Sequence, residues 1–62
     1  MINVKRVGDW YIDYRIDIAY RPLDNFEGGK QLCEVYEKNK GLSSIEYFSE
    51  DFIKDLIKTA DK

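Results

Sequence analysis

The 62-residue chain contains no histidine, one cysteine, one proline and one tryptophan. Without histidine it lacks the commonest general base and the commonest metal ligand. Cys33 alone excludes an internal disulfide and any zinc site built on a cysteine pair. A lone thiol with no histidine beside it is a poor nucleophile, and Cys33 reads as a small apolar strand residue. Small extracellular domains generally depend on several disulfides, so their absence here leads us to expect a cytoplasmic setting. Met1 to Arg6 lacks the apolar core of a signal peptide. No apolar run approaches the roughly 20 residues that cross a bilayer. Charge is nearly balanced, with ten Lys+Arg against twelve Asp+Glu, a net of −2.

What is present is a folded domain. Hydrophobic residues make up 44% and aromatics 15% of the chain, too much for a disordered tail. At about this length only roughly 60% of the unfolded surface is buried, so the core must be thin. The length allows one domain, residues 1–62.

The strongest pattern runs from Trp10 to Tyr20. Trp10, Ile12, Tyr14, Ile16, Ile18 and Tyr20 alternate with Tyr11, Asp13, Arg15, Asp17 and Ala19. This period of two predicts one long strand over 10–20, its even positions inward, ended by Pro22. Residues 2–7 form a shorter β-prone run. Gly8-Asp9 between them fits a two-residue hairpin. Pairing Val7 with Trp10 sets Lys5 opposite Ile12 and Asn3 opposite Tyr14, which requires either a bulge or a short edge strand. Pro22 to Lys30 reads as a turn-rich loop, within which Phe26 either tucks onto the core or makes an outside contact. Residues 31–38 read as a third strand, Cys33 and Val35 inward, Leu32 and Tyr36 outward.

Ser43-Ser44-Ile45-Glu46 has the form of a capping box, and Leu42 with Tyr47 supplies a hydrophobic staple. Ile45, Phe48, Phe52, Ile53, Leu56, Ile57 and Ala60 then share a helical face, predicting a helix over 44–60. A rival start at Ser49, with Glu50 and Asp51 following, would make 45–48 a strand. The longer helix is expected. The fold class is therefore α+β: a three-stranded antiparallel β-meander with one C-terminal amphipathic helix packed on one face. Its expected core is Trp10, Ile12, Tyr14, Ile16, Ile18, Cys33, Val35, Phe48, Phe52, Leu56 and Ile57. Ile16→Ala and Leu56→Ala should then each destabilise by roughly 2–5 kcal/mol.

Motifs for chemistry are scarce. Gly28-Gly29-Lys30 lacks the strand–loop–helix frame of a phosphate loop. Asp24 to Gly28 lacks the spacing of a calcium loop. Asp13 and Asp17 share a face with Arg15 and Arg21, the mixed ladder of a solvated surface. The expectation is a small non-enzymatic protein-binding module with no catalytic residues, cofactor or metal. The second sheet face, with Tyr11 and Tyr36, offers contact residues of the type enriched at interfaces. Glu46 and Glu50 supply electrostatic contacts, since residues 41–62 carry five acids against three lysines. A homodimer burying this second face would help complete a thin core.

Gly29-Lys30-Gln31, then Glu34 and Tyr36, then Lys40-Gly41-Leu42-Ser43 with Glu46 beyond, resembles the small uracil-DNA glycosylase inhibitors of Bacillus phages. The resemblance implies a dimerising protein of sheet and helix that mimics DNA electrostatically and plugs an enzyme's DNA-binding groove. This would make the chain a phage-type inhibitor or regulator of a host DNA-processing protein. The family's aromatic–acid pair early in the helix falls on Ile45-Glu46, so its phenylalanine is missing here. A second resemblance runs from Gly8 to Arg15 (Gly-Asp-Trp-Tyr-Ile-Asp-Tyr-Arg), followed by strand and helix. It is similar to the arm-binding domain of tyrosine integrases and implies a three-stranded sheet laid on DNA. That family's sheet face is strongly basic, whereas Lys5, Arg6, Arg15 and Arg21 are offset here by Asp9, Asp13 and Asp17. Phosphate neutralisation drives non-specific DNA affinity, so nucleic acid is the lesser expectation.

Overall fold

The computed structural model describes residues 4–61. Five antiparallel strands lie in chain order: β1 (Val4–Val7), β2 (Trp10–Asp13), β3 (Ile18–Glu27), β4 (Lys30–Glu37) and β5 (Leu42–Ser49). A single helix, α1 (Glu50–Ala60), closes one face of this meander. The α+β class and the C-terminal helix are as expected, but the sheet has five strands, not three. Residues 2 and 3 of the expected first strand lie outside the described residues.

The 10–20 alternation does not form one strand. Asp13 and Asp17 bend the chain between β2 and β3. The Asp13 carboxylate accepts a hydrogen bond from the Arg15 backbone N–H (3.0 Å), an Asx turn. Asp17 takes φ 54°, a left-handed conformation that aspartate tolerates better than most residues. Tyr14 and Ile16 are carried into the loop and exposed, contrary to their expected place in the core.

This break also corrects the facing of β2. Tyr11 and Asp13 point under the helix and are buried, while Trp10 and Ile12 lie on the opposite side of the sheet. The hairpin resolves into the short-edge-strand alternative: Val7 pairs with Trp10 and Lys5 with Ile12, without a bulge.

Pro22 does not end a strand. β2 pairs with β3 only over Ile18–Tyr20, so Pro22 sits where β3 outruns that neighbour and one flank is unpaired, a position proline accepts. The register against β4 shifts between Pro22 and Phe26. There the Gln31 side-chain amide donates to the Leu23 carbonyl (3.0 Å). The expected loop is thus the outer half of β3, closed by Gly28-Gly29, whose φ values of 55° and 75° suit a two-residue turn of the primed type. Phe26 is exposed on this half.

Residues 42–49 are a strand and not the start of the helix. β5 pairs with β4 along its whole length, from Leu42 opposite Glu37 to Ser49 opposite Lys30. The helix begins at the rival site: Ser49 caps it, accepting from the Phe52 N–H (3.1 Å), and Glu50 and Asp51 complement the first-turn dipole.

The core is Tyr11, Tyr20, Cys33, Val35, Ile53 and Leu56, with Val4, Ile18, Phe48, Ile57 and Ala60 around it. Cys33 and Val35 are inward as their alternation implied. Phe48 and Phe52 stack at 5.2 Å, and Tyr20 meets both edge-on at 5.8 and 5.5 Å. Such aromatic packing adds to area burial.

Candidate protein-binding face

The helix covers one side of the sheet and leaves the other open. Strand alternation places Trp10 and Ile12 of β2, Ala19 and Arg21 of β3, and Glu34 and Tyr36 of β4 on this open side. At its centre Arg21 and Glu34 face each other across β3 and β4. The guanidinium Nε donates to Glu34 Oε1 at 2.8 Å, Nη2 reaches the same oxygen, and the Trp10 ring lies 5.6 Å from the guanidinium carbon. Both charges are compensated within the protein, and the arginine packs on the indole.

Beside this pair is a hollow of about 390 Å³ lined by Val7, Trp10, Ile12, Ala19, Glu34, Tyr36 and Ser43. An adjoining one of about 320 Å³ shares Ile12, Ala19 and Tyr36 and extends to Tyr14, Asp17 and Lys38. Ala19 is the reason for the depression, a small side chain between larger neighbours on β2 and β4. The surroundings are mostly apolar, and Tyr36 is 39% exposed at the junction of the two hollows. Apolar surface rimmed by polar groups is the usual mark of an interaction site.

The expected contact residues do not converge. Tyr36 lies on the open face, as its alternation implied. Tyr11 does not: it is 8% exposed, packed beneath the helix, with Arg6 over its ring at 5.8 Å. Its expected place on the second sheet face followed from reading 10–20 as one strand with even positions inward, and the inverted β2 removes it. Glu46 is exposed on the helix side of β5, opposite Cys33, and receives a hydrogen bond from the Ser44 hydroxyl (2.9 Å). Glu50 is the first residue of α1. Trp10, Ile12 and Val7 are the open-face residues that sequence reasoning missed. The hairpin pairing carried the signal, since it sets Lys5 opposite Ile12 and so marks the Trp10 and Ile12 side as the one facing solvent.

Two buried ionisable groups are shifted by the fold. Burial pushes the Cys33 thiol up to about 11. Burial, with Asp13 adding to it, also raises the Tyr20 phenol. A thiol so displaced is protonated at neutral pH and unsuited to nucleophilic work. Among the described residues no three His, Cys, Asp or Glu side chains converge on a point that could hold a metal ion. No described helix is long and apolar enough to cross a membrane. Comparison with protein-family models, curated proteins and solved structures finds no match to this chain.

Proposed function

We propose that this protein is a non-enzymatic binding module that docks an apolar segment of a protein partner on the open face of its sheet. The observation that carries this reading is the hollow between Trp10, Ile12 and Tyr36, on the side the helix leaves uncovered. Aromatic residues in a shallow apolar depression are the common anchors of protein interfaces. The charge arrangement favours a protein over a nucleic acid. Arg21 is held by Glu34, so the guanidinium at the centre of the open face is not free for phosphate.

Within this class, the particular role we propose is that of a phage-type inhibitor or regulator of a host DNA-processing protein. Its support is the resemblance at Gly29-Lys30-Gln31 and Lys40-Gly41-Leu42-Ser43, together with the acidic residues of the C-terminal third. One departure bears on it: here Lys40-Gly41-Leu42-Ser43 leads into strand β5 and not into a helix.

The test combines capture with reconstitution. A photo-crosslinking residue at Tyr36 should trap a partner that one at Lys58, on the helix exterior, does not. The purified partner should bind the wild-type protein and lose at least about tenfold in affinity with Trp10→Ala or Tyr36→Ala. Lys58→Glu should leave affinity unchanged. Equal binding by all variants would overturn the open-face reading. Titration against a uracil-DNA glycosylase tests the narrower role: undiminished activity in excess protein would remove it and leave the broader one standing.

A further inference from the structure

The sheet has two edges, and they differ in kind. Among the described residues β1 spans Val4–Val7 and carries Lys5 and Arg6, charges of the kind that discourage edge pairing. β5 has eight residues, about 27 Å of extended chain, with no proline, glycine, lysine or arginine. Its only charge is Glu46. Leu42 and Ile45 are 60% and 61% exposed. The helix does not cover this edge: it leaves β5 at Ser49 and crosses the sheet to pack against β1.

We infer that β5 pairs antiparallel with β5 of a second copy of this chain, about a two-fold axis perpendicular to the sheet at Ile45. Such an axis keeps each face on its own side, so opposed residues must belong to the same face. That restricts the central registers to axes at Ser44, Ile45 or Glu46. An axis at Glu46 sets two carboxylates directly opposite, which is destabilising. An axis at Ser44 sets Leu42 against the charge of Glu46. With the axis at Ile45 the contacts are complementary. Ile45 meets its own copy, Leu42 meets Phe48, and the Ser44 hydroxyl meets the Glu46 carboxylate. Just outside the strand, Lys40 of the β4–β5 turn comes near Glu50, the first residue of α1 in the other copy, at both ends. Lys40 is available for this, since its contact with Glu37 is a loose surface pair at 3.6 Å. Pairing from Leu42 to Phe48 adds roughly six to eight backbone hydrogen bonds. The two open-face hollows then lie on the same side of one continuous sheet. The pairing itself does not depend on what those hollows bind.

The experiment is mass measurement by sedimentation equilibrium on the full chain at high-micromolar concentration. Twice 7.4 kDa is expected for the wild type, and 7.4 kDa for Ile45→Lys with an unchanged circular dichroism spectrum. Ile45→Cys, oxidised, should give a covalent dimer, because directly opposed Cα atoms fall within disulfide reach. Tyr47→Cys should not, since Tyr47 faces Ser43 of the other copy. Trp10→Ala and Tyr36→Ala should leave the dimer mass unchanged, which separates this inference from the open-face reading. A wild-type monomer at every concentration overturns the inference, as does a folded Ile45→Lys protein that still dimerises. A covalent dimer formed by the Tyr47→Cys variant in preference to the Ile45→Cys variant would overturn the register.

Discussion

Arg21 and Glu34 stand directly opposite each other on the open side of the sheet, joined at 2.8 Å, with the Trp10 indole against the guanidinium. The triad ties β2, β3 and β4 together on the face that has no helix to hold it.

The pair is partly solvent-exposed, so its worth is modest. A double-mutant cycle of Arg21→Met and Glu34→Gln should give a coupling of about 1 kcal/mol that shrinks with added salt. Urea unfolding at low and high ionic strength is the measurement. No coupling at low salt would mean that the pair does not hold the strands.

The position of the core makes a sharper prediction. Ile53→Ala and Leu56→Ala, both buried against the sheet, should each cost about 2–5 kcal/mol. Ile16→Ala should cost less than about 1 kcal/mol, because Ile16 is 48% exposed in the loop between β2 and β3. Urea midpoints that rank Ile16 with Leu56 would restore the single long strand.

The two possible helix starts differ in their caps. Ser49→Ala should destabilise by about 1 kcal/mol, since the Phe52 N–H loses its acceptor. Ser43→Ala, on an exposed strand, should stay within about 0.5 kcal/mol of wild type. The reverse order in thermal unfolding would place the helix start at Ser43.

The buried thiol gives a pH dependence. Cys33 titrates at 9.0 when unperturbed and at about 11 in the fold, because burial disfavours the thiolate. The unfolded chain therefore releases this proton first as pH rises. Stability should be constant with respect to Cys33 below pH 9.0 and fall from there to about 11, by at most about 1.4 kcal/mol per pH unit. Tyr20, raised by burial and then by Asp13, acts in the same direction at higher pH. Urea midpoints across this range should flatten in Cys33→Ala, and an unchanged slope would show that the thiol does not contribute.

Part of the sheet is legible in the sequence, and one reading of it depends on two residues. The alternation from Trp10 to Tyr20 is real at each end, and it is interrupted only because Asp13 folds onto the Arg15 N–H and Asp17 turns left-handed. Those local preferences are weak. They prevail here because the turn lets β2 fold back and pair antiparallel with β3 over Ile18–Tyr20. Once the run is broken, β2 presents Tyr11 inward, and the candidate contact surface changes from Tyr11 to Trp10 and Ile12. Tyr36 keeps its place because Cys33 and Val35 fix the facing of β4 from within their own strand.

By itself the sequence determined the composition limits, the hairpin at Gly8-Asp9, the amphipathic helix through Ile53 and Leu56, and the inward side of β4. Each follows from spacing along a few neighbouring residues, which periodicity records. The fate of Leu42–Ser49 was decided only by the tertiary structure. Two valid caps, at Ser43 and Ser49, compete over the same residues, and nothing local separates them. The strand prevails because β4 offers a full-length partner, whose ladder of backbone hydrogen bonds outweighs the extra helical turns. That choice leaves β5 as the long, nearly uncharged edge of the sheet.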